Sequence, residues 1–249
     1  MTEVQIRDAA TVVLLRDGAE GVETWLLTRV DQMAFAAGMT VFPGGRVDPA
    51  DADLPVSGAA GAAVAARFGC DEGLARALLG AAVRETFEET GVLLTTPAAA
   101  LLDAVADVEA GRMAFGELLR EHGLTVDGEA LRPWARWVTP AGEVRRYDTR
   151  FFAGALPDGA EAHDLTSESS AASWVGVGAA LEQVQRGERM MLPPTLATLA
   201  SIVAFPTVAE ALAAAEARSL EPVRPTMRVT ETEIVAELPD GTSFSMPRR

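Results

Sequence analysis

The chain has 249 residues, 49% of them hydrophobic, a net charge of −15, and no lysine, so that all 21 of its basic residues are arginine. Such a charge repels a polynucleotide backbone, and the lack of lysine excludes a phosphate-loop nucleotide triphosphatase, a lysine Schiff base and a pyridoxal-phosphate enzyme. With Cys70 as the one cysteine there is no internal disulfide framework, and no window approaches the roughly 18 apolar residues of a membrane span. A small phosphate-bearing substrate stays open, because a metal ion can reverse the local sign of the field. The opening MTEVQIRDAATVVLLRDG interleaves acids and bases and lacks the pattern of a secretory signal. Together with the single cysteine this points to the cytoplasm.

In chain order, TVVLL (11–15) is a short apolar strand, RDGAEG is turn chemistry, and TWLLT (24–28) pairs back as a hairpin. A brief strand follows around Met39–Phe42. Leu74, Leu78 and Ala81 recur at helical spacing, which predicts a helix from Asp71 as N-cap to Thr90, with Gly91 in the left-handed position after its end. VLLTT (92–96) reads as a strand, and Ala98–Val108 and Ala114–His122 as helices. RPWARWVTP (132–140), RFFAGAL (150–156) and SWVGV (173–177) alternate as strands. VGAALEQVQRGE is an amphipathic helix, PPTLATLASIVAF a helix opened by proline, and Val208–Arg218 another. The tail from Glu221 alternates around a Pro-Asp-Gly turn, as a β-hairpin does. No internal repeat is present, and the mixture predicts an α/β domain over 1–220 with a β-hairpin extension over 221–249.

One stretch is electrostatically poor. On a helix, Glu85, Glu88 and Glu89 of RETFEETGV stand at i, i+3 and i+4 and share a face. Glu88 and Glu89 fall in the last turn, where the macrodipole already disfavours acids. In nearby sequence only Arg84, four residues before Glu88, offers an opposite charge. A divalent cation among the oxygens would make the arrangement favourable. Upstream, the paired glycines of FPGGRVDPAD let backbone approach a ligand closely or turn sharply.

Gly45, Arg84, Glu85, Glu88, Glu89, Gly91 and Val92 together resemble the Nudix box of the Nudix hydrolases. In that motif a glycine, five residues, a glutamate and seven residues precede Arg-Glu, an aliphatic, any residue, Glu-Glu, any residue, glycine and an aliphatic. RETFEETGV fits it with threonine in the aliphatic slot. The upstream half departs twice. Asp51 stands where the motif has glutamate, and 32 residues (52–83) lie between Asp51 and Arg84 where it has 7, an insertion of 25 at about 52–76. This insertion, VFPGGRVDPAD and the later LPPT resemble the coenzyme A diphosphatase-like branch.

The resemblance implies an α/β/α sandwich with a mixed sheet, and hydrolysis of a nucleoside diphosphate derivative by water with Mg²⁺ or Mn²⁺. Carried over by position, Glu85, Glu88 and Glu89 are metal carboxylates with the Gly44 carbonyl as a further ligand, and Arg84 orients a glutamate. Glu85 is the first choice for general base and Glu168, in the TSES loop, the second. Arg29, Arg46 and Gly45 are the candidates for substrate phosphate contact. The substrate implied is coenzyme A or its acyl esters, with ADP-ribose, NADH or another nucleoside diphosphate derivative as the alternative. A Nudix-fold protein that binds a nucleotide or a partner without turnover is a further alternative. No nucleic-acid or membrane partner is expected, and a homodimer is left open. His122 and His163 read as surface residues, Cys70 as a small buried side chain, and Trp134, Trp137 and Trp174 as core. Arg145, Arg146 and Arg150 read as a solvated strand edge.

Overall fold

The computed structural model describes residues 4–30 and 36–247. In chain order the strands are β1 (Ile6–Gly18), β2 (Gly21–Arg29), β3 (Thr40–Val41), β4 (Gly44–Arg46), β5 (Thr95–Thr96), β6 (Thr125–Val126), β7 (Arg132–Val138), β8 (Arg146–Ala155), β9 (Ser169–Gly176), β10 (Thr226–Val229), β11 (Glu233–Glu237) and β12 (Ser243–Pro247). The α-helices are α1 (Ala60–Phe68), α2 (Glu72–Thr90), α3 (Val105–Glu109), α4 (Phe115–Glu121), α5 (Val177–Gln185), α6 (Pro193–Ile202) and α7 (Val208–Ala214).

The main sheet runs β3-β2-β1-β8-β7, with β4 also paired to β1 and β9 to β2. The β1–β8 pair is parallel and the others are antiparallel, so the sheet is mixed as expected. Alternation along β1 separates two cores. Ala10, Val12 and Leu14 pack with α2 on one face, and Val13 and Leu15 pack with α5, α6 and α7 on the other. The result is a helix layer on each side of the sheet, the α/β/α sandwich.

Helix α2 is the axis of the first layer. Asp71 caps it, its carboxylate accepting from the Leu74 amide at 2.9 Å, and Gly91 ends it at φ 75°. Ala75, Ala77, Ala81 and Ala82 are all buried, and their small side chains let α2 lie close to the sheet and to α1.

The insertion folds into a brace. Pro49–Asp53 is a 3-10 helix, and Leu54 beyond it fills a notch between two glycines: a Cβ on either Gly80 or Gly116 would stand 3.0 Å from a Leu54 methyl. In α1, which sequence periodicity had not revealed in AGAAVAARF, Phe68 packs edge-on against Phe152 of β8 at 5.6 Å. Arg67 donates to the carbonyls of Ala215 (2.9 Å) and Arg218 (3.2 Å), tying α1 to the turn after α7. The brace therefore flanks the N-terminal half of α2 and the β7 edge. From Asp71 to Glu85 the helix rises about 20 Å, which separates most of the insertion from the acidic turn.

Other elements differ from expectation. Val92–Leu94 is buried but unpaired, and only Thr95–Thr96 joins a strand. The helix expected over 98–108 is reduced to a 3-10 turn at Leu102–Ala104 and α3, because PAAALLDA offers no N-cap side chain before it. Arg150 lies on β8, between β1 and β7, so it is no strand edge. It is 2% exposed and ion-paired with Asp8 and Asp148. The tail has the expected hairpin plus one strand more, forming the antiparallel sheet β10-β11-β12. It follows a segment whose Val223 bonds to Arg136 and Val138 of β7. Among the described residues no helix is long and apolar enough to cross a membrane.

If the insertion is a brace, Phe68→Ala should lower stability by about 3–5 kcal/mol through the cavity it leaves. Denaturant unfolding measures this, and activity per folded molecule should be unchanged.

Candidate active site

The acidic turn of α2 meets the glycine loop because β4 pairs with β1 directly beneath it, with Thr11 opposite Gly44 and Ala10 opposite Gly45. Gly44 has φ 154°, and a Cβ there would lie 2.5 Å from the Ala10 carbonyl. A Cβ on Gly45 would lie 2.5 Å from the Glu85 carboxyl carbon. At Gly44 the obstruction is backbone and leaves no room for a side chain; at Gly45 a side chain would displace the Glu85 carboxylate.

Arg84 is the hub. Its Nε and Nη2 donate to the two oxygens of Asp51 at 2.8 and 3.0 Å, a bidentate fork. Nη1 donates to Glu85 at 2.8 Å and to Glu88 at 3.3 Å, and Nη2 also reaches the Arg46 carbonyl at 3.0 Å. The expected i,i+4 pairing with Glu88 is present, but the tightest partner is Asp51, 33 residues upstream. Asp51 is 2% exposed and also accepts from the Asp48 amide at 2.8 Å, closing a capping box on the 3-10 helix. Asp48 adds a weaker ion pair to Arg84 at 4.0 Å.

Glu89 is 7% exposed and turned inward, and its carboxylate accepts from the Gly44 amide at 2.9 Å. Gly44 thus meets Glu89 through its N–H. Arg46 likewise contributes its carbonyl, while its side chain is exposed. Arg29 pairs with Glu168 at 3.1 Å, bringing the end of β2 to the loop before β9, and both charges are felt by Glu89. The Arg29 Nε is buried without a hydrogen-bond partner among the described residues. Glu168 therefore lies near enough for its charge to act on Glu89.

Burial first, and neighbouring acids second, raise the carboxyl pKa values. Glu85 is raised by burial against the pull of Arg84, with Asp51 and Asp48 adding to the rise. Glu88 is pushed up to about 7 by burial, with Glu85 and Asp51 adding to the effect against Arg84. Glu89 is raised well above the usual range by burial and by Glu85, against the Gly44 amide and Arg29. Burial opposes the Arg84 cation, but the hydrogen bond to Asp51 and the charges of Glu85, Asp51 and Glu88 outweigh it and raise its pKa.

These oxygens suit a hard divalent cation in chemistry and number. Among the described residues no three acidic, histidine or cysteine side chains already converge as a metal cage. The reason is visible: one Arg84 nitrogen holds both Glu85 and Glu88, and Glu89 faces Gly44. Both histidines lie outside these contacts. His122 is exposed after α4, and the His163 amide bonds to the Thr90 carbonyl. Cys70 is partly buried, which raises its thiol pKa. Trp134 is fully buried with its indole N–H on Ser201 at 3.0 Å, Trp137 is 6% exposed, and Trp174 packs edge-on against Trp25. Sequence reasoning missed the part played by Asp48; the Asp-Pro-x-Asp pattern of a capping box was the available signal.

The family model described as NUDT19 Nudix domain matches residues 74–202. The chain is 29% identical over 286 residues to the acyl-coenzyme A diphosphatase NUDT19 of Gallus gallus, covering 91% of this chain and 75% of that protein. It is 27% identical over 188 residues to the acyl-coenzyme A diphosphatase NUDT19 of Xenopus laevis, covering 67% of this chain but 48% of that protein. A crystal structure of a NUDIX hydrolase from Alicyclobacillus acidocaldarius superposes with a TM-score of 0.72 at 32% identity, covering 88% of this chain and 99% of that one.

A carboxyl whose folded pKa is raised stabilises the fold below its unfolded pKa, and that stability is lost as pH rises through the folded value. In chelator, stability should therefore fall as pH rises from 5, most steeply between the usual carboxylate range and the Glu88 value of about 7, with the Glu88 contribution levelling off above it. Urea titration measures this. Glu88→Gln should flatten the slope, and Mg²⁺ or Mn²⁺ should restore stability at pH 8.

Proposed function

The chain belongs to the Nudix hydrolases, and from that premise we propose that it is a divalent-cation-dependent diphosphatase acting on coenzyme A or an acyl-coenzyme A. Water attacks the pyrophosphate, and the products are a phosphopantetheine species and adenosine 3′,5′-bisphosphate. The observation that carries the reaction class is the turn of three carboxylates, Glu85 and Glu88 half-buried on Arg84 and Glu89 buried on the Gly44 amide, against a glycine loop that approaches them closely. A protein without turnover has no need to hold mutually repelling acids together. The substrate is suggested by the likeness to two proteins named acyl-coenzyme A diphosphatase.

Each residue then has a role. Glu85, Glu88 and Glu89 are the carboxylates for Mg²⁺ or Mn²⁺, with the Gly44 carbonyl as a further oxygen. When bound, the ion supplies charge neutralisation at the pyrophosphate and a more acidic water. Arg84 holds Glu85 and Glu88 in place. Glu85 takes the proton of the attacking water, with Glu168 as the alternative base. Arg29 and the exposed Arg46 grip phosphate oxygens, and Gly45 leaves the substrate room to approach the loop.

The test is a panel of coenzyme A, acetyl-coenzyme A, ADP-ribose and NADH with Mg²⁺ or Mn²⁺. Coenzyme A substrates should be turned over fastest, and Glu89→Gln should lower kcat by about 100-fold or more. No turnover of any substrate would overturn the reaction class, and a preference for ADP-ribose or NADH the substrate. Undiminished Glu89→Gln activity would overturn the site.

A further inference from the structure

Asp51 is one methylene shorter than the glutamate of the Nudix box, yet it reaches Arg84 with both oxygens at 2.8 and 3.0 Å. The backbone supplies the missing length. The 3-10 helix carrying Asp51 lies directly on α2 at Gly80, one turn before Arg84 on the same face. A Cβ at residue 80 would stand 3.1 Å from the Asp51 carbonyl carbon and closer still to its oxygen. The absent side chain is what lets the Asp51 backbone come so near.

We infer that Gly80 is a positioning residue and forms a matched pair with Asp51: the missing methyl on α2 offsets the missing methylene at 51. Gly80 acts through Asp51 on Arg84, and through Arg84 on Glu85 and Glu88. The inference rests on the hydrolase reading for its kinetic consequence, but its geometry concerns this chain alone. An alanine at 80 pushes the 3-10 helix outward by roughly 1 Å to reach ordinary contact. A glutamate at 51 adds one carbon–carbon bond of about 1.5 Å. Each change alone misplaces the carboxylate, outward in one case and by overreach into a site 2% exposed in the other. Together they compensate. A purely structural effect on the helix has the opposite expectation, since alanine is the better helix former.

The experiment compares wild type, Gly80→Ala, Asp51→Glu and the double variant. It measures kcat on the best substrate of the panel, Mn²⁺ affinity by electron paramagnetic resonance, and melting temperature. Each single variant should lose about tenfold in kcat, with the double variant recovering to within about threefold of wild type. Mn²⁺ affinity and melting temperature should follow the same order. Losses that multiply in the double variant overturn the pairing, as does an Asp51→Glu protein with unchanged kcat and Mn²⁺ affinity. That second outcome can be read even if Gly80→Ala does not fold. Absence of turnover in wild type would instead sink the functional reading, and the order of melting temperatures would still decide the pair.

Discussion

One guanidinium organises this molecule's chemistry. Arg84 is 12% exposed at its side chain and ion-paired with Asp51, Glu85 and Glu88, with Asp48 at the margin. A buried charge is tolerated only when its hydrogen-bonding capacity is met, and Arg84 meets it through two fork contacts, two glutamates and a backbone carbonyl. Only a planar fork serves such a set; a lysine point charge does not. Yet one cation among several acids leaves negative charge over, and burial first, with that excess adding to it, raises the pKa values of Glu85, Glu88 and Glu89. The cluster is held in place without being neutralised.

The fold brings the parts together by layering. β1 is shared by everything that matters: it pairs with β8, presents Val12 and Leu14 to α2, and carries β4 and its glycines. The acidic turn and the glycine loop are thus fixed to one rigid strand from two directions. The segment between the glycine loop and α2 divides its labour. Its beginning, the 3-10 helix that carries Asp51 into the start of the insertion, serves Arg84. The rest, through Leu54, Phe68 and Arg67, ties the other end of the helix to the sheet edge. Chemistry and bracing therefore sit at opposite ends of one helix.

Legibility in the sequence followed the range of the interaction. The caps of α2, Asp71 and Gly91, were readable because capping is settled within a few residues. Apolar runs located the strands of the main sheet except β4, whose Gly-Gly-Arg carries no such signal, and the two-sided helix layering matches the family resemblance. Two of the readings that failed depended on neighbours distant in sequence. Arg150 looked solvated beside Arg145 and Arg146, but β8 is covered on both sides and Asp8, 142 residues away, completes its pairing. The helix α1 was hidden because AGAAVAARF is nearly uniform in polarity, and its apolar face is defined by Phe152 and the 215–218 turn.

By itself the sequence determined the chemical inventory and its local grouping. Arginine is the sole basic side chain apart from histidine, and Glu85, Glu88 and Glu89 must share a helix turn because three and four residues is the helix period. The tertiary structure decided which partner each group takes. Arg84 could have been spent on Glu88 alone, and the exposed Glu168 could have stood apart from the cluster. That Arg84 instead forks onto Asp51, and that Arg29 draws Glu168 beside Glu89, follows from the path of the chain between them. The same holds for Gly80, which carries no chemistry and whose use is the space it leaves. A local pattern can specify a group, but only the packed backbone sets how far that group has to reach.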